Sequence, residues 1–525
     1  MQPGGTDNPM AVTAPMDTRT VSFDRLRAWV SPASLAALAS FAIAEVVYLR
    51  TLLPGVSFGD WAESELLLSR LGILHPTGYP LYSLVGKAFS LIPIGSLAWR
   101  ANALSASAAA ATVGVAVLIA VRLGVRPAIA MAAALALAFT GTVWEEATFS
   151  EMNTLHLLLV ALLLHRALVW RDERRTRDLV IGALLAGLCA SNHALAISVV
   201  PIVILFVLVD ARREILAHPL MLVQSLVAFA IGLLPYLFLP LRALAGPADV
   251  YGPYLTWKGF FDLISGAMFR KDMHFLSVDS AAAAWAALPH VLDQLVALSD
   301  VVFVAAGIVG LVVLLVGDRW FGILLALLAA VNVYIYANYL GDLPHYLLTT
   351  WLILAIGLAV GAEALVRAAV VWFGERATAV QALAFLLPIA LLAANWPAHD
   401  QSANRDGETF AAEVFAQLPP DAVLITYWDA LTTLSYEHCN EGVRPDVSLR
   451  AYDSYALVTC DHVEPPAASI AEGRPVYALQ VQDADLAAST GLEPVPVSTI
   501  KVPWGERYPS LERTLYRLVP PGTAP

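Results

Sequence analysis

Cysteine is nearly absent. Three in 525 residues exclude a disulfide-built scaffold and leave too few thiolates for a zinc ribbon or a metal cluster. Charge is scarce too: Asp, Glu, Lys and Arg make up 14% of the chain, and the balance is acidic at a net -12. With no basic stripe to neutralise a phosphate backbone, nucleic acid is excluded as a partner. Glycine and proline, 32 of each, are spread among loops and helix ends, which excludes a collagen-like or low-complexity block. What remains is apolar, with 58% hydrophobic residues and a mean hydropathy of +0.67. A soluble domain of this size needs more charge on its surface. The composition is that of a polytopic α-helical membrane protein.

Residues 1–30 hold small and polar residues with Arg19, Arg25 and Arg27, and read as a cytoplasmic tail. The apolar run from Ser31 to Leu53 is longer than the core of a signal peptide, and nothing after it resembles a cleavage site, so it is the first span. Further runs lie at roughly 101–123, 127–143, 151–170, 178–191, 194–209, 219–240, 296–316, 320–338, 346–366 and 378–396, which makes about 11 transmembrane helices. The basic residues orient them. With the N-terminus cytoplasmic, Arg122, Arg126, Arg171, Arg174, Arg175, Arg177, Arg212, Arg213, Arg319, Arg367 and Arg376 all fall in cytoplasmic connections. The short connections near 141–150, 191–194 and 338–345 hold no Lys or Arg, as positive-inside orientation requires. The short run 178–191 is the weak link, because losing it inverts everything downstream.

On this map the loop 54–100, the acids Glu145, Glu146 and Glu151, the loop 241–290, the turn with Asp342 and His345, and everything after 396 face outward. The polar groups therefore collect at one membrane surface. A pore or pump would bury its charges at mid-membrane, in broken helices. The segment 397–525 differs in kind, with ordinary charge and alternating strand and helix signals. Ala422–Thr426 reads as a buried strand, 429–440 as a helix and Val447–Arg450 as the next strand, which predicts a small extracytoplasmic α/β domain. Cys439 and Cys460 lie in it, and an exterior location permits a disulfide between them. His438 and His462 flank them, but their spacing fits no zinc pattern. Cys189 falls in a span and reads as a small apolar residue.

The chemistry gathers in SFGDWAESELLLSRLGILHPTGYPL, Ser57 to Leu81. Asp60 and Glu63 are one helical turn apart, so on a helix both carboxylates point the same way. An acid pair at a helix N-terminus is favoured by the dipole and can serve as a base and its partner. The plain alternative is a capping Asp followed by solvated acids. Glu65 is expected to be solvated.

The stretch FGDWAESELLLSRLGILHPTGYPLYSLVGKAFSLIP with WRANALSA resembles the N-terminal signature of the protein O-mannosyltransferase-like membrane proteins of the GT-C glycosyltransferase superfamily. Asp60, Glu63, Leu71-Gly72, His75-Pro76, Gly78, Pro80-Leu81, Pro93 and Asn102 fall on the family's positions. Downstream, SEMNTLHLLLVALLL is similar to its Glu-x-Tyr-x-Leu-His helix start at Glu151, Leu155 and His156. GLCASNHAL is similar to its Asn-His segment at Asn192-His193, and LPYLFLPLRA to its Pro-Tyr-Leu-x-Leu-Pro-Leu-Arg run ending at Arg242. In the C-terminal segment, DAVLITYWDALTTLSYEHCNEGVRPDVSL is similar to the family's strand, Asp-containing turn, helix and Gly-x-Arg-Pro-Asp-Val. Gly59 stands where Trp is usual, Asn153 where Tyr is usual, and Trp428-Asp429 replaces a Gly-Asp-Asn run. The last departure weakens the expectation of a C-terminal contribution to an active site.

The resemblance implies a GT-C-like domain over 31–396 with an outward active site in the first large loop. It also implies a glycosyltransferase using a polyprenyl-phosphate sugar, mannose or another hexose, as donor. The acceptor is a hydroxyl, of a protein Ser or Thr or of an envelope glycan or lipid. Such a transfer needs a base for the hydroxyl and cations or donors for the departing phosphate. Asp60 is the expected base and Glu63 its positioning partner. Arg242 is the first candidate for the phosphate, because guanidinium forks onto phosphate oxygens; a snorkelling Arg at a helix end is the competing view. His75 and His193 are the next donors, and Arg100, Asn102, Glu151 and His156 are weaker candidates, with Asp342 and His345 behind them. Tyr251, Tyr254 and Trp257 read as interfacial aromatics or groove walls. The outward acids have the chemistry to hold a divalent ion, but Arg and His can neutralise one leaving phosphate, so a metal is not favoured. The rival classes are a transporter, which predicts inverted repeats, and a polytopic scaffold, which predicts indifference to loss of Asp60.

Overall fold

The computed structural model describes residues 31–246, 250–251, 256–272, 282, 286, 300–338, 344–452, 456–457, 460, 466–479, 486–502 and 511–523. The N-terminal tail, Asp342, His462 and Tyr254 lie outside them. The helices in chain order are α1 Pro32–Thr51, α2 Gly59–Arg70, α3 Pro80–Ser90, α4 Leu97–Arg122, α5 Pro127–Ala138, α6 Gly141–Thr148, α7 Met152–Glu173, α8 Thr176–Asn192, α9 Ala196–Ala217, α10 Pro219–Gly232, α11 Phe238–Leu244, α12 Trp257–Ile264, α13 Val301–Gly317, α14 Arg319–Ala337, α15 Leu348–Phe373, α16 Leu386–His399, α17 Asp406–Ala416 and α18 Trp428–Cys439. Two short helices, α19 Pro466–Ala471 and α20 Leu486–Thr490, follow.

All eleven apolar runs are helical where described, but they are not equally long. Among the described residues seven helices are long and apolar enough to cross a membrane, or eight if α5 and α6, bent by 67° at their junction, are one broken span. The runs at 194–209 and 296–316 give the shorter apolar helices Ala196–Asp210 and Val301–Gly317, and the run at 178–191 lies within α8, of 17 residues. Length and composition alone thus support fewer full crossings than the eleven runs, because hydropathy does not register a bend.

Local signals start the helices. Ser31 caps α1, its Oγ accepting from the Ser34 N–H, with Pro32 in the first turn; Ser96 caps α4 in the same way through Trp99. Alanine-rich α4 is buried along most of its length, since small side chains let helix backbones approach. Where α13 crosses α15 the approach is closer still: a methyl at Gly310 would stand 1.8 Å from the Gly357 carbonyl oxygen. On the outer faces Leu38, Ile197, Leu226, Val312 and Ile389 are more than half exposed, the surface that lipid covers.

Helices α4 and α7 run parallel. Ser105, two turns into α4, accepts through Oγ from the Glu151 N–H at 2.8 Å, and both helices end at the Arg122–Glu173 pair, 2.6 Å. At that far end Arg171 pairs with Asp318 and Arg174 with Asp210, both at 2.6 Å. From Ser105 to Arg122, at 1.5 Å per residue, α4 separates this arginine network from the Glu151 end by about 26 Å.

The C-terminal segment carries a five-stranded sheet, order β3-β2-β5-β7-β6, built from β2 Val423–Thr426, β3 Ser448–Ala451, β5 Val476–Leu479, β6 Glu493–Val502 and β7 Leu511–Val519. Its first three strands are parallel and its last two antiparallel. Alternation sends Val423, Ile425, Val476 and Ala478 to one face, and Leu424, Leu449, Tyr477 and Leu479 to the face continuous with the helical core. Two residues of the loop after α11, β1 Val250–Tyr251, pair with β4 Ala456–Leu457. Cys439 and Cys460 form a disulfide, S–S 2.01 Å. His438 Nδ1 lies 3.1 Å from the carbonyls of Val443 and Arg444, so its ring serves the backbone there.

Candidate active site

Helix α2 carries the acids. Gly59, at φ +60°, turns the chain into the helix, and Leu71, at φ +54°, ends it in a left-handed cap. Residues 72–79 then fold back beneath α2. Gly78 adopts φ +80°, and a methyl there would press on Leu239 and Leu263 at 3.2–3.3 Å, so this position requires glycine. The fold-back puts His75 between the two acids. Glu63, fully buried, accepts from the His75 backbone N–H at 2.8 Å and from Nδ1 at 2.5 Å. On the other side of the ring Nε2 stands 3.8 Å from Asp60 Oδ2. Asp60 is half exposed at 51%, so one carboxylate is locked and the other is open to a ligand.

The electrostatics follow from this sandwich. Burial pulls the His75 pKa down, but Asp60 and then Glu63 more than reverse it and hold the imidazole up at about 10. Burial pushes Glu63 up, opposed by the charge and hydrogen bond of His75. His75 at neutral pH is thus an imidazolium set between the side chains of Asp60 and Glu63. The ligand atoms of Asp60, Glu63 and His75 lie within 4.8 Å of one another, a spacing that suits a divalent ion. An ion bound at Nδ1 would have to break the Glu63 hydrogen bond.

The C-terminal domain completes the site, contrary to the weak expectation placed on its altered turn. The Trp428 indole N–H donates to Asp60 Oδ1 at 2.6 Å. Helix α18 is clamped over α2 by Thr433 Oγ1 donating to the Ser57 carbonyl, 2.7 Å, and by the Tyr436 hydroxyl accepting from the Ala98 N–H, 2.9 Å. Next to Trp428, Asp429 is held by a buried pair with Arg513. Residues 368 positions apart thus share one carboxylate.

Glu65 corrects another expectation. It is 1% exposed, and accepts from the Ser57 N–H at 2.7 Å, so it anchors the loop before α2. Asn102 donates to the Leu53 carbonyl at 2.9 Å. Arg100 gives three N–H groups to the carbonyls of Ile94, Ser90 and Gly95, which makes it a staple for the turn before α4. Arg242, on α11, donates Nε and Nη2 to the carbonyls of Leu71 and Arg70 at 2.7 and 3.1 Å. It therefore caps the end of α2 that its helix packs against. Trp257 is exposed.

The remaining candidates line the wall opposite α2. Glu151, the residue preceding α7, is 5% exposed; burial, then the charge of Glu146, raise its pKa to about 8, so it is largely protonated at neutral pH. His193 ends α8. Its Nδ1 accepts from the Leu195 N–H at 3.0 Å, and burial drives its pKa well down, which leaves a neutral ring with its proton on Nε2. His156 packs 5.4 Å from His193, and His345 Nδ1 stands 3.4 Å from Glu146 Oε1. Tyr79 and Trp428 were missed as site residues. The first lies inside the resemblance, at Gly78-Tyr79-Pro80; nothing local marks the second.

Comparison with known proteins bears out the family resemblance. Residues 60–216 match the family model described as the protein O-mannosyl-transferase TMEM260 N-terminal domain. The chain is 26% identical over 454 residues to the mouse (Mus musculus) protein O-mannosyl-transferase TMEM260, covering 80% of this chain and 63% of that protein. It is 22% identical over 455 residues to protein O-mannosyl-transferase tmem260 of Dictyostelium discoideum, covering 77% and 55%. The chain thus spans less than two thirds of either relative. Among solved structures, the fold is that of ArnT from Cupriavidus metallidurans: TM-score 0.60 at 14% identity for the apo state, with 93% of this chain and 98% of that one covered. The form bound to undecaprenyl phosphate gives 0.58 at 15%, with 95% and 99% covered.

Proposed function

We propose that this chain, a GT-C-type membrane protein similar to the protein O-mannosyl-transferases of the TMEM260 family, is a glycosyltransferase. It moves a hexose, mannose by the names of its relatives, from a polyprenyl-phosphate donor to a hydroxyl of a protein Ser or Thr. In the displacement the acceptor oxygen bonds to the anomeric carbon, the bond from that carbon to the phosphate oxygen breaks, and the acceptor proton passes to Asp60. The observation that carries this reading is the asymmetry of the acid pair. Glu63 is buried and fully engaged with His75, whereas Asp60 is half open and faces a cationic ring. Its open carboxylate oxygens are placed to accept a proton from a hydroxyl.

Arg242, the sequence's first candidate for the donor phosphate, holds the end of α2, about 16 Å along that helix from Asp60. The charge beside Asp60 is the His75 imidazolium, and we assign the leaving phosphate oxygen to it. The undecaprenyl phosphate bound by a protein of the same fold supports a polyprenyl carrier. The positive-inside asymmetry supports the reading that this end of the bundle, with the C-terminal domain, faces outward from the cell membrane. No step needs a metal ion.

The test is direct. Purified full-length protein is incubated with a panel of radiolabelled polyprenyl-phosphate sugars and Ser/Thr-containing peptides, and label is followed from lipid to peptide. Transfer from one member of the panel supports the reading; label that stays on every lipid, in protein that binds them, rejects it.

A further inference from the structure

Toward the arginine end of the bundle, far from Asp60, a groove of about 260 Å³ lies between α7, α8, α9 and α10. Ala183, Val203, Val207 and Phe229 are among its walls. Its rim, Ile204, Leu208, Leu222 and Leu226, is 42–60% exposed, so it opens sideways into the space that lipid covers. On α8 the lining runs from Asp178 to Ala186, a depth of about 12 Å. That lies within one leaflet, half of a hydrocarbon core roughly 30 Å thick. Toward the active-site end α8 and α10 close on each other, where a methyl at Gly187 would stand 2.3 Å from the Phe229 carbonyl oxygen. A chain seated in the groove therefore belongs to the leaflet at the arginine end.

The charge at the mouth is opposite to that of a phosphate. Arg166 is part of the lining, and its Nη1 pairs with Asp178 at 2.9 Å. That carboxylate, 1% exposed, also lies 3.6 Å from Arg177, which is 68% exposed, so two guanidinium groups share one acid. Arg212 is exposed. It follows Leu208 and precedes Ile215 by one turn, and both line the groove, which sets Arg212 on the same stripe of α9. Neighbouring acids are engaged elsewhere: Glu173 with Arg122 and Asp210 with Arg174, each at 2.6 Å. Glu214 sits beside Arg213, both exposed, near the end of α9. An apolar slot less than one leaflet deep, with guanidinium in excess at its mouth, matches a phospholipid with an anionic headgroup. We propose that this groove binds one anionic glycerophospholipid of the adjoining leaflet. An acyl chain fills the space between α9 and the other three helices, and Arg166 and Arg212 meet the phosphate. A polyprenyl-phosphate carrier fits poorly, because the groove closes before the end of the bundle where the donor phosphate is needed. The site shares no residue with the Asp60 cluster and does not depend on the transfer reading.

The experiment is native mass spectrometry of the delipidated full-length protein, titrated in detergent with phosphatidylglycerol or with phosphatidylcholine of the same acyl chains. The ratio of the two affinities, taken on one preparation, is unaffected by loss of folded protein. Wild type should bind one phosphatidylglycerol more tightly than phosphatidylcholine. A basic side chain at a membrane surface contributes about fivefold to such a preference, so Arg212→Gln should lower the ratio by about that factor. Arg376→Gln, on an exposed residue after α15, should leave the ratio unchanged. Gly182→Leu fills the slot: a methyl there would meet Arg166 Cβ at 3.9 Å, an ordinary contact, and a longer side chain takes the place of the acyl chain. It should weaken both lipids by about tenfold and keep the ratio. Equal affinity of wild type for the two lipids, or an unchanged ratio in Arg212→Gln, overturns the site. Undiminished binding in Gly182→Leu overturns it too, because the lipid then sits elsewhere. So does one-for-one displacement of phosphatidylglycerol by a bare polyprenyl phosphate, which would make the groove a seat for the donor's tail.

Discussion

Glu63→Gln isolates the buried half of the acid pair. The glutamine keeps the shape of the side chain and can still accept from the His75 backbone N–H, but it loses the charge that meets Nδ1 at 2.5 Å. Removing one partner of a buried pair costs about 3–5 kcal/mol. The surviving backbone bond and the half-exposed Asp60 opposite place this change near the lower limit, about 3 kcal/mol. The pH dependence carries the diagnosis. His75 titrates at about 10 in the folded protein against an ordinary value near 6.5. A raised value means that its stabilisation is fully present below about 6.5 and is lost as pH rises through about 10. Thermal melting of wild type in detergent should therefore decline along an alkaline limb that ends near pH 10. In Glu63→Gln the imidazolium keeps only Asp60, so the limb should still begin near about 6.5 but end at lower pH, and transfer activity should fall more at pH 8 than at pH 6. A variant that melts lower by the same amount at every pH, with an unshifted limb, would refute the ionised sandwich.

Trp428→Phe removes the hydrogen bond that holds Asp60 Oδ1, of a class worth about 1.5–3 kcal/mol to a charged acceptor; kcat for transfer should fall by about tenfold while donor affinity stays unchanged. Cys439→Ser opens a crosslink of 21-residue separation, which should lower the stability of the C-terminal domain by about 3 kcal/mol. That loss is read by limited proteolysis, with the helical bundle retained. Gly78→Ala forces a side chain into φ +80° against Leu239 and Leu263 and should destabilise the loop beneath α2 by about 1–3 kcal/mol, seen as a lower melting temperature and reduced transfer.

Much of the fold is legible in the sequence because membrane helices are written in consecutive residues. The apolar runs give the helices, and their caps, such as Ser31-Pro32 and Ser96, stand beside them. The pairing of Asp60 with Glu63 reads from one helical turn, and the small domain from its strand and helix alternation. What stays hidden is set by contacts across the chain. Glu65 looks like a surface acid until the fold buries it beneath the Ser57 N–H. Arg100 looks like a cation in reserve until three carbonyls of its own turn take it up. The Trp428 indole reaches Asp60 from the other end of the sequence, and no local pattern encodes that distance. The bend between α5 and α6 is likewise invisible to a hydropathy window. Tyr346 and Glu146 enter the site only because α6, α8 and the turn before α15 meet at one end of the bundle.

The central claim is that an open carboxylate at position 60 takes the acceptor proton. Asp60→Asn tests it with one substitution that preserves size and keeps an oxygen for the Trp428 indole. The decisive measurement is single-turnover transfer of radiolabelled hexose from polyprenyl phosphate to a hydroxyl acceptor, alongside donor binding by the same preparation. Loss of the base should lower transfer by about 10²–10⁴-fold while donor affinity stays within a few-fold of wild type. Transfer at the wild-type rate by Asp60→Asn, with the donor bound, would contradict the assignment.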